Sequence, residues 1–251
     1  MNNERCVCES MEGQKSTKGK RSGSEMRIKV SKNGPYLVSG NVPVTEQVID
    51  CDGKGTPRRW RESRKYPTQE KCGLCRCGQS NKKPFCDGTH SKVNFDGMEN
   101  ASRNPYMDQA KRIDGPSLEM TDAEILCASA RFCHRGGDIW TLIPKSDDHQ
   151  ARKTAIEDAC DCPSGRLVIW DKKTGKAIEP SLESSIGLIE DPSISASGPI
   201  WVRGGIPVES ADGKMYEVRN RVTLCRCGKS QNKPFCDSSH YPEEDQEHKT
   251  S

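Results

Sequence analysis

Apolar residues fall in short runs along this chain, cut by glycine, proline and charged stretches. Residues 26–30, MRIKV, alternate apolar and polar positions, the period of a half-buried strand. Residues 36–38 (YLV) and 200–202 (IWV) are β-branched and aromatic runs that follow Gly-Pro and precede a glycine turn, so they also predict strands. Residues 166–171, RLVIWD, read as a buried strand, and residues 151–159 as a short helix. Thr121-Asp122-Ala123-Glu124 has the capping-box pattern, which predicts a helix start. These elements describe a small, β-rich α+β fold.

The pattern repeats. Residues 74–90 read LCRCGQSNKKPFCDGTH and residues 224–240 read LCRCGKSQNKPFCDSSH, identical at twelve of seventeen positions. Upstream, 34–44 (GPYLVSGNVPV) and 198–208 (GPIWVRGGIPV) match at six of eleven. Each half thus runs Gly-Pro, strand, turn, Pro-Val, linker and cysteine segment, which reads as an internal duplication. The expected division is a polar tail at 1–24, a first module at 25–120, a central insert at 121–191, a second module at 192–241 and a tail at 242–251. Both tails read as disordered.

Composition sharpens this picture. Only 32% of the 251 residues are hydrophobic and 5% aromatic, against 30% charged, so apolar burial alone makes a thin core. Metal binding that exists only in the folded chain adds to folding stability. A net charge of +3 is too weak to indicate nucleic acid, and the basic run 15–21 reads as a solvated tail. No apolar run approaches the ~20 residues of a membrane span, and no leader is expected, which points to the cytoplasm. In a reducing compartment, fourteen cysteines indicate metal before disulfides.

Within each repeated segment, three cysteines and a histidine make a four-ligand set: Cys75, Cys77, Cys86 and His90, then Cys225, Cys227, Cys236 and His240. Cys-x-Cys cannot put both sulfurs on one helix face, so it predicts a loop. Gly78 permits a reversal, Pro84 sets the approach to Cys86, and Asp87 suits an N-cap that places His90 third in a short helix. Zinc accepts the same ligands, and spacing favours an iron–sulfur site while leaving zinc open.

Residues 75–90 resemble the signature of the CDGSH iron–sulfur domain family, the mitoNEET type: C-x-C, two residues, Ser or Thr, three residues, Pro, one residue, then C-D-G-[Ser/Ala/Thr]-H. The first copy meets every position, with Ser80, Pro84, Asp87, Gly88 and Thr89. The second departs once, with Ser238 for the glycine; if Gly88 has positive φ, Ser238 takes it at some cost. The resemblance covers 32 of 251 residues. It implies one [2Fe–2S] cluster per motif on the eight ligands named above, and a pseudo-twofold pair within one monomeric chain, a symmetry the insert disturbs.

An imidazole in place of one thiolate makes such a site less negative and raises its potential, as in Rieske centres. Arg76, Lys82 and Lys83, and Arg226, Lys229 and Lys233, are expected to push the same way. Free imidazole titrates near ~6.5, so mild acid should compete for His90 and His240 before the thiolates.

The insert offers Cys127, Cys133, Cys160 and Cys162. Cys162-Pro163 before a strand resembles the closure of a ferredoxin loop, and about 45 residues here are similar to a divergent mono-cluster ferredoxin domain. That resemblance implies a further [4Fe–4S] or [3Fe–4S] cluster on Cys127, Cys133 and Cys162, with Cys160 the weakest candidate. Cys6, Cys8, Cys51 and Cys72 receive no role. No nucleophile–base set, phosphate loop or nucleotide fingerprint is present, so no catalytic residue is expected. The expected function is electron or cluster transfer to a redox or cluster-acceptor protein, with no nucleic acid or membrane partner. A zinc-binding interaction module and a redox subunit of a larger enzyme are the alternatives.

Overall fold

A computed structural model describes residues 25–242. The two tails, with Cys6, Cys8 and the basic run, lie outside the described residues. Among the described residues no helix is long and apolar enough to cross a membrane.

The chain opens with strands β1 (Arg27–Val30), β2 (Tyr36–Ser39), β3 (Val44–Cys51), β4 (Pro57–Lys65) and β5 (Lys71–Leu74). Two short helices follow, α1 (Thr89–Lys92) and α2 (Tyr106–Gln109), then β6 (Lys111–Asp114) and β7 (Leu118–Asp122). Next come α3 (Ile139–Leu142), α4 (His149–Cys160), β8 (Leu167–Asp171) and β9 (Lys176–Ile178). The last strands are β10 (Ser185–Asp191), β11 (Ala196–Arg203), β12 (Val208–Glu209) and β13 (Arg221–Leu224).

These form three sheets, ordered β12-β1-β2-β5, β13-β11-β10-β3-β4 and β6-β7-β8-β9. The alternation in MRIKV becomes β1, with Ile28 and Val30 buried and Arg27 and Lys29 outward. The first two sheets exchange strands. After the turn that follows β2, β3 crosses to pair in parallel with β10, Val44 opposite Ile186. After the matching turn that follows β11, β12 crosses to pair in parallel with β1, Val208 opposite Ile28. The Pro-Val of each half therefore feeds a strand into the sheet of the other half. One core follows from this: Ile28, Val38, Val44 and Leu74 pack with Ile186, Ile200, Val208 and Leu224.

The third sheet, with α3 and α4, has its own core of Leu118, Met120, Ile139, Ile143, Ala155, Leu167 and Ile169. It spans residues 111–178, beginning before 121 and ending before β10, which belongs to the second sheet. Residues 166–171 and 151–159 form β8 and α4 as expected. The helix expected to start at Thr121 does not form. Residues 118–122 are β7 instead, and a single 3-10 turn, Glu124–Leu126, follows. The Thr121 hydroxyl that a capping box would need is fully buried and accepts from Tyr106 Oη at 2.9 Å and Trp170 Nε1 at 3.0 Å.

Candidate metal centres

Both CDGSH-like loops are built the same way. Cys75 N–H donates to Pro84 O and Cys86 N–H to Gly73 O, each at 2.8 Å. In the second loop Cys225 N–H donates to Pro234 O at 2.8 Å and Cys236 N–H to Thr223 O at 2.9 Å. These bonds fold the two cysteine-bearing strands face to face. The signature serine closes the turn between them: Ser80 Oγ donates to Phe85 O at 2.6 Å, and Ser230 Oγ to Phe235 O at 2.8 Å. The signature aspartate pins its far side. Asp87 accepts from Asn81 N–H at 2.9 Å and Thr89 N–H at 3.0 Å; Asp237 accepts from Gln231 and Ser239 N–H at 2.7 and 3.0 Å. Asp87 does not itself cap α1. Gly88 takes the N-cap place with φ 85°, so His90 is second in the helix rather than third.

The ligands meet in pairs. Cys75 and Cys77 Sγ lie 3.8 Å apart, Cys225 and Cys227 Sγ 3.6 Å. Cys86 Sγ lies 3.3 Å from His90 Nδ1, and Cys236 Sγ 3.5 Å from His240 Nδ1. Two thiolates on one tetrahedral metal, at bond lengths of ~2.3 Å, stand ~3.8 Å apart, and a thiolate with an imidazole ~3.6 Å. The pairs fit that geometry, with Nδ1 as the donor nitrogen. Backbone N–H groups of Gln79 and Lys229 point at Cys77 and Cys227 Sγ at 3.5 Å, and those of Gly88 and Ser238 at Cys86 and Cys236 Sγ at 3.4 Å. Such bonds favour thiolate.

The electrostatics call for a cation. Burial pushes the Cys236 thiol well up, and burial also raises Cys77. Within the second pair, the hydrogen bond from Cys225 lowers Cys227 to about 7, and the same contact holds Cys225 protonated. Metal binding must therefore displace protons from these thiols.

Of the expected cations, the arginine inside each Cys-x-Cys and Lys233 are turned inward. Arg76 is buried and donates to Ser31 O at 2.9 Å and to Gly97 O. Arg226 donates to Ile189 O and Glu190 Oε1, both at 2.6 Å. Lys82, Lys83 and Lys229 are solvent-exposed, where water screens them, and Lys233 is buried with Nζ on Ser230 O at 2.6 Å.

The loops lie against each other. A Cβ on Gly78 would stand 2.5 Å from Cys227 O, and one on Gly228 2.7 Å from Cys77 O. Both glycines have positive φ, 75° and 81°. Tyr36, which sequence reasoning took only as a strand residue, is buried at this junction. Its hydroxyl donates to Cys225 O at 2.7 Å and Pro234 O at 3.0 Å.

In the central segment Cys127 and Cys133 line a cavity of about 560 Å³ with Arg131, His134, Trp140 and Arg166. Burial raises the Cys133 thiol strongly, and the neighbouring Cys162 and Cys127 thiols add to this. Arg166 forks onto Asp122 at 2.6 and 2.9 Å and reaches the Cys127 thiol. The structure thus gathers Cys127, Cys133 and Cys162. Cys160 is buried, and both it and Cys162 lie beside Arg221, outside the cavity wall. Cys51 meets Arg131 at 3.7 Å, and Cys72 faces Val38 across β2 and β5.

No curated protein and no solved structure matched the chain. Two family profiles did. One, described as the iron-binding zinc finger of CDGSH type, covers residues 33–91 and again 197–241. The other, a divergent 4Fe-4S mono-cluster family, covers 113–172 between them. The chain is therefore a tandem CDGSH-type iron–sulfur protein with a divergent mono-cluster segment set between its two modules.

Proposed function

We propose that each CDGSH loop holds one [2Fe–2S] cluster, that the central segment holds a [4Fe–4S] or [3Fe–4S] cluster, and that the chain serves electron or cluster transfer. The observation that carries this is the pairing of ligands: Cys75 with Cys77 and Cys86 with His90, repeated in the second loop. Two pairs suit two metals better than one. Cys127 and Cys133 line an open cavity, and Cys162 is close enough to Cys133 to act on its thiol, which supports a larger cluster on these three.

Bound clusters supply one-electron chemistry at a potential that the surrounding protein sets. The protein's part is positional. Ser80, Asp87, Ser230 and Asp237 hold the loops, backbone N–H groups polarise the sulfurs, and Arg76 and Arg226 bring positive charge close. His90 and His240 supply neutral ligands that protons can compete for. The strand exchange and the shared core support reading the two modules as a pseudo-dimer within one chain, by internal duplication. The chain acts as a carrier in the cytoplasm and not as an enzyme, and its partner is a redox or cluster-acceptor protein.

The test is iron, acid-labile sulfide and zinc per polypeptide after anaerobic reconstitution. Four irons and four sulfides are expected in the two loops, with more in the central segment. The chain carrying Cys75→Ser, Cys77→Ser, Cys225→Ser and Cys227→Ser should keep only the central iron. One zinc per loop with no visible absorbance would establish the interaction module instead.

A further inference from the structure

The two loops differ at one signature position, Gly88 against Ser238. Both take left-handed backbone, φ 85° and 74°. That conformation suits glycine and strains a residue with a Cβ. Around Gly88 an added Cβ would meet nothing within 4 Å. Ser238 is instead buried, and its Oγ donates to Cys127 O at 2.8 Å. Its N–H meanwhile points at Cys236 Sγ. A single residue therefore joins a ligand of the second loop to the backbone of a thiol that faces the central cavity.

Two further contacts run the same way. Asn232 Nδ2 donates to Ile125 O at 3.2 Å. Arg221, wholly buried on β13, donates to Cys162 O at 2.7 Å, Ala159 O at 3.0 Å and Leu167 O at 3.2 Å. Both stretches that bear the central thiols, at 127 and at 160–162, are thus fastened to the second module. Among the described residues the first loop shows no such tie; the open groove beside His90 is lined by Lys32, Asn33, Ser91, Asn94, Phe95 and Asp96 of its own module.

We propose that Ser238 is a positioning residue that couples the second CDGSH centre to the central centre, so that filling either one tightens the other, a link that the first centre, with glycine at the matching position, does not make. Metal binding orders its ligand loop, and a loop already fixed by an ordered neighbour has less freedom left to lose. Such coupling is reciprocal by thermodynamic necessity. The inference rests on the function proposed above.

The experiment uses the full chain, reconstituted anaerobically and challenged with an iron chelator at neutral pH. Absorbance loss and residual iron are read for each centre in backgrounds lacking the first (Cys75→Ser with Cys77→Ser) or the second (Cys225→Ser with Cys227→Ser). The second centre should release iron about fivefold more slowly than the first, the factor one hydrogen bond supports. Ser238→Gly should remove that difference, and Cys127→Ser should do the same. The two together should do no more than either alone. Ser238→Gly should also speed release from the central centre. Because glycine relieves the backbone, Ser238→Gly should not lower the melting temperature of the metal-free chain, which separates coupling from simple loss of structure. Iron at all three centres with release rates indifferent to Ser238→Gly and Cys127→Ser would overturn the coupling and leave the function standing. A central segment without iron would overturn the coupling as well. A second loop that binds no iron would overturn both.

Discussion

Loops 74–90 and 224–240 share most of their residues and the hydrogen bonds of their cysteines, signature serine and signature aspartate, yet they sit in different surroundings. Cys86 is half-buried, and Asn81, Lys82 and Lys83 face solvent. Cys236, Asn232 and Lys233 are buried. The second loop is held from two sides, by Tyr36 of the first module and by the central segment through Ser238. The first has no counterpart of Tyr36, because Ile200 stands at the matching place and carries no hydroxyl. Identical ligand geometry thus comes with unequal freedom. A ligand set fixes what a centre can bind; the packing behind it decides how readily the metal leaves.

The largest expected effect tests the one contact the loops share equally. Gly78→Ala and Gly228→Ala each drive a methyl into the other loop's backbone at positive φ. Each should cost about 2–4 kcal/mol of stability and loosen both centres, read by thermal unfolding and iron retention. An effect confined to the substituted loop would mean that the contact does not tie them.

Tyr36→Phe should sharpen the difference between the loops. It takes the side-chain donor from Cys225 O and leaves Pro234 O with the Cys225 N–H, at a cost of about 1–3 kcal/mol. Iron should leave the second centre faster and the first at its former rate; equal acceleration would contradict the structure.

The next comparison is electrical. Arg76 donates to carbonyl oxygens, while Arg226 meets the carboxylate of Glu190. An unneutralised buried cation favours the more negative, reduced state. Arg76→Met should lower the first centre's potential by on the order of 50–100 mV, and Arg226→Met should move the second by less. Redox titration of each centre in turn decides this.

The smallest contrast concerns the histidines. His90→Cys and His240→Cys each remove the ligand that protons compete for most readily. Both should slow cluster loss below neutral pH and lower the potential, by similar amounts, because the Cys–His pairs differ by only 0.2 Å, from 3.3 to 3.5 Å. Unchanged acid lability in both variants would remove the histidines from the ligand set.

What the sequence revealed of the centres was local. Ligands, turn serine and aspartate fall within sixteen residues, so spacing alone locates them. The positive φ expected of Ser238 is present. What stayed hidden was distant. The Tyr36 bond to Cys225 bridges 189 positions and the Ser238 bond to Cys127 bridges 111, and no periodicity encodes either. The exchange of β3 and β12 was equally invisible, since Pro-Val looks alike whichever sheet receives it. At Thr121 a local cap competed with a buried hydroxyl network and lost. Six cations near the motifs looked alike as tuning charges in sequence; burial sets Arg76, Arg226 and Lys233 apart from the exposed Lys82, Lys83 and Lys229.

The exchange of strands also bears on the order of events during synthesis. Val208, the edge partner of Ile28, is made long after β1, β2 and β5 have left the ribosome. The second sheet likewise waits for β10 to arrive beside a β3 made much earlier. Neither half can close its share of the common core until nearly the whole chain is out, so iron delivered to the first loop before then meets an unfinished vessel. The first loop therefore reaches its described setting only once the chain is almost complete.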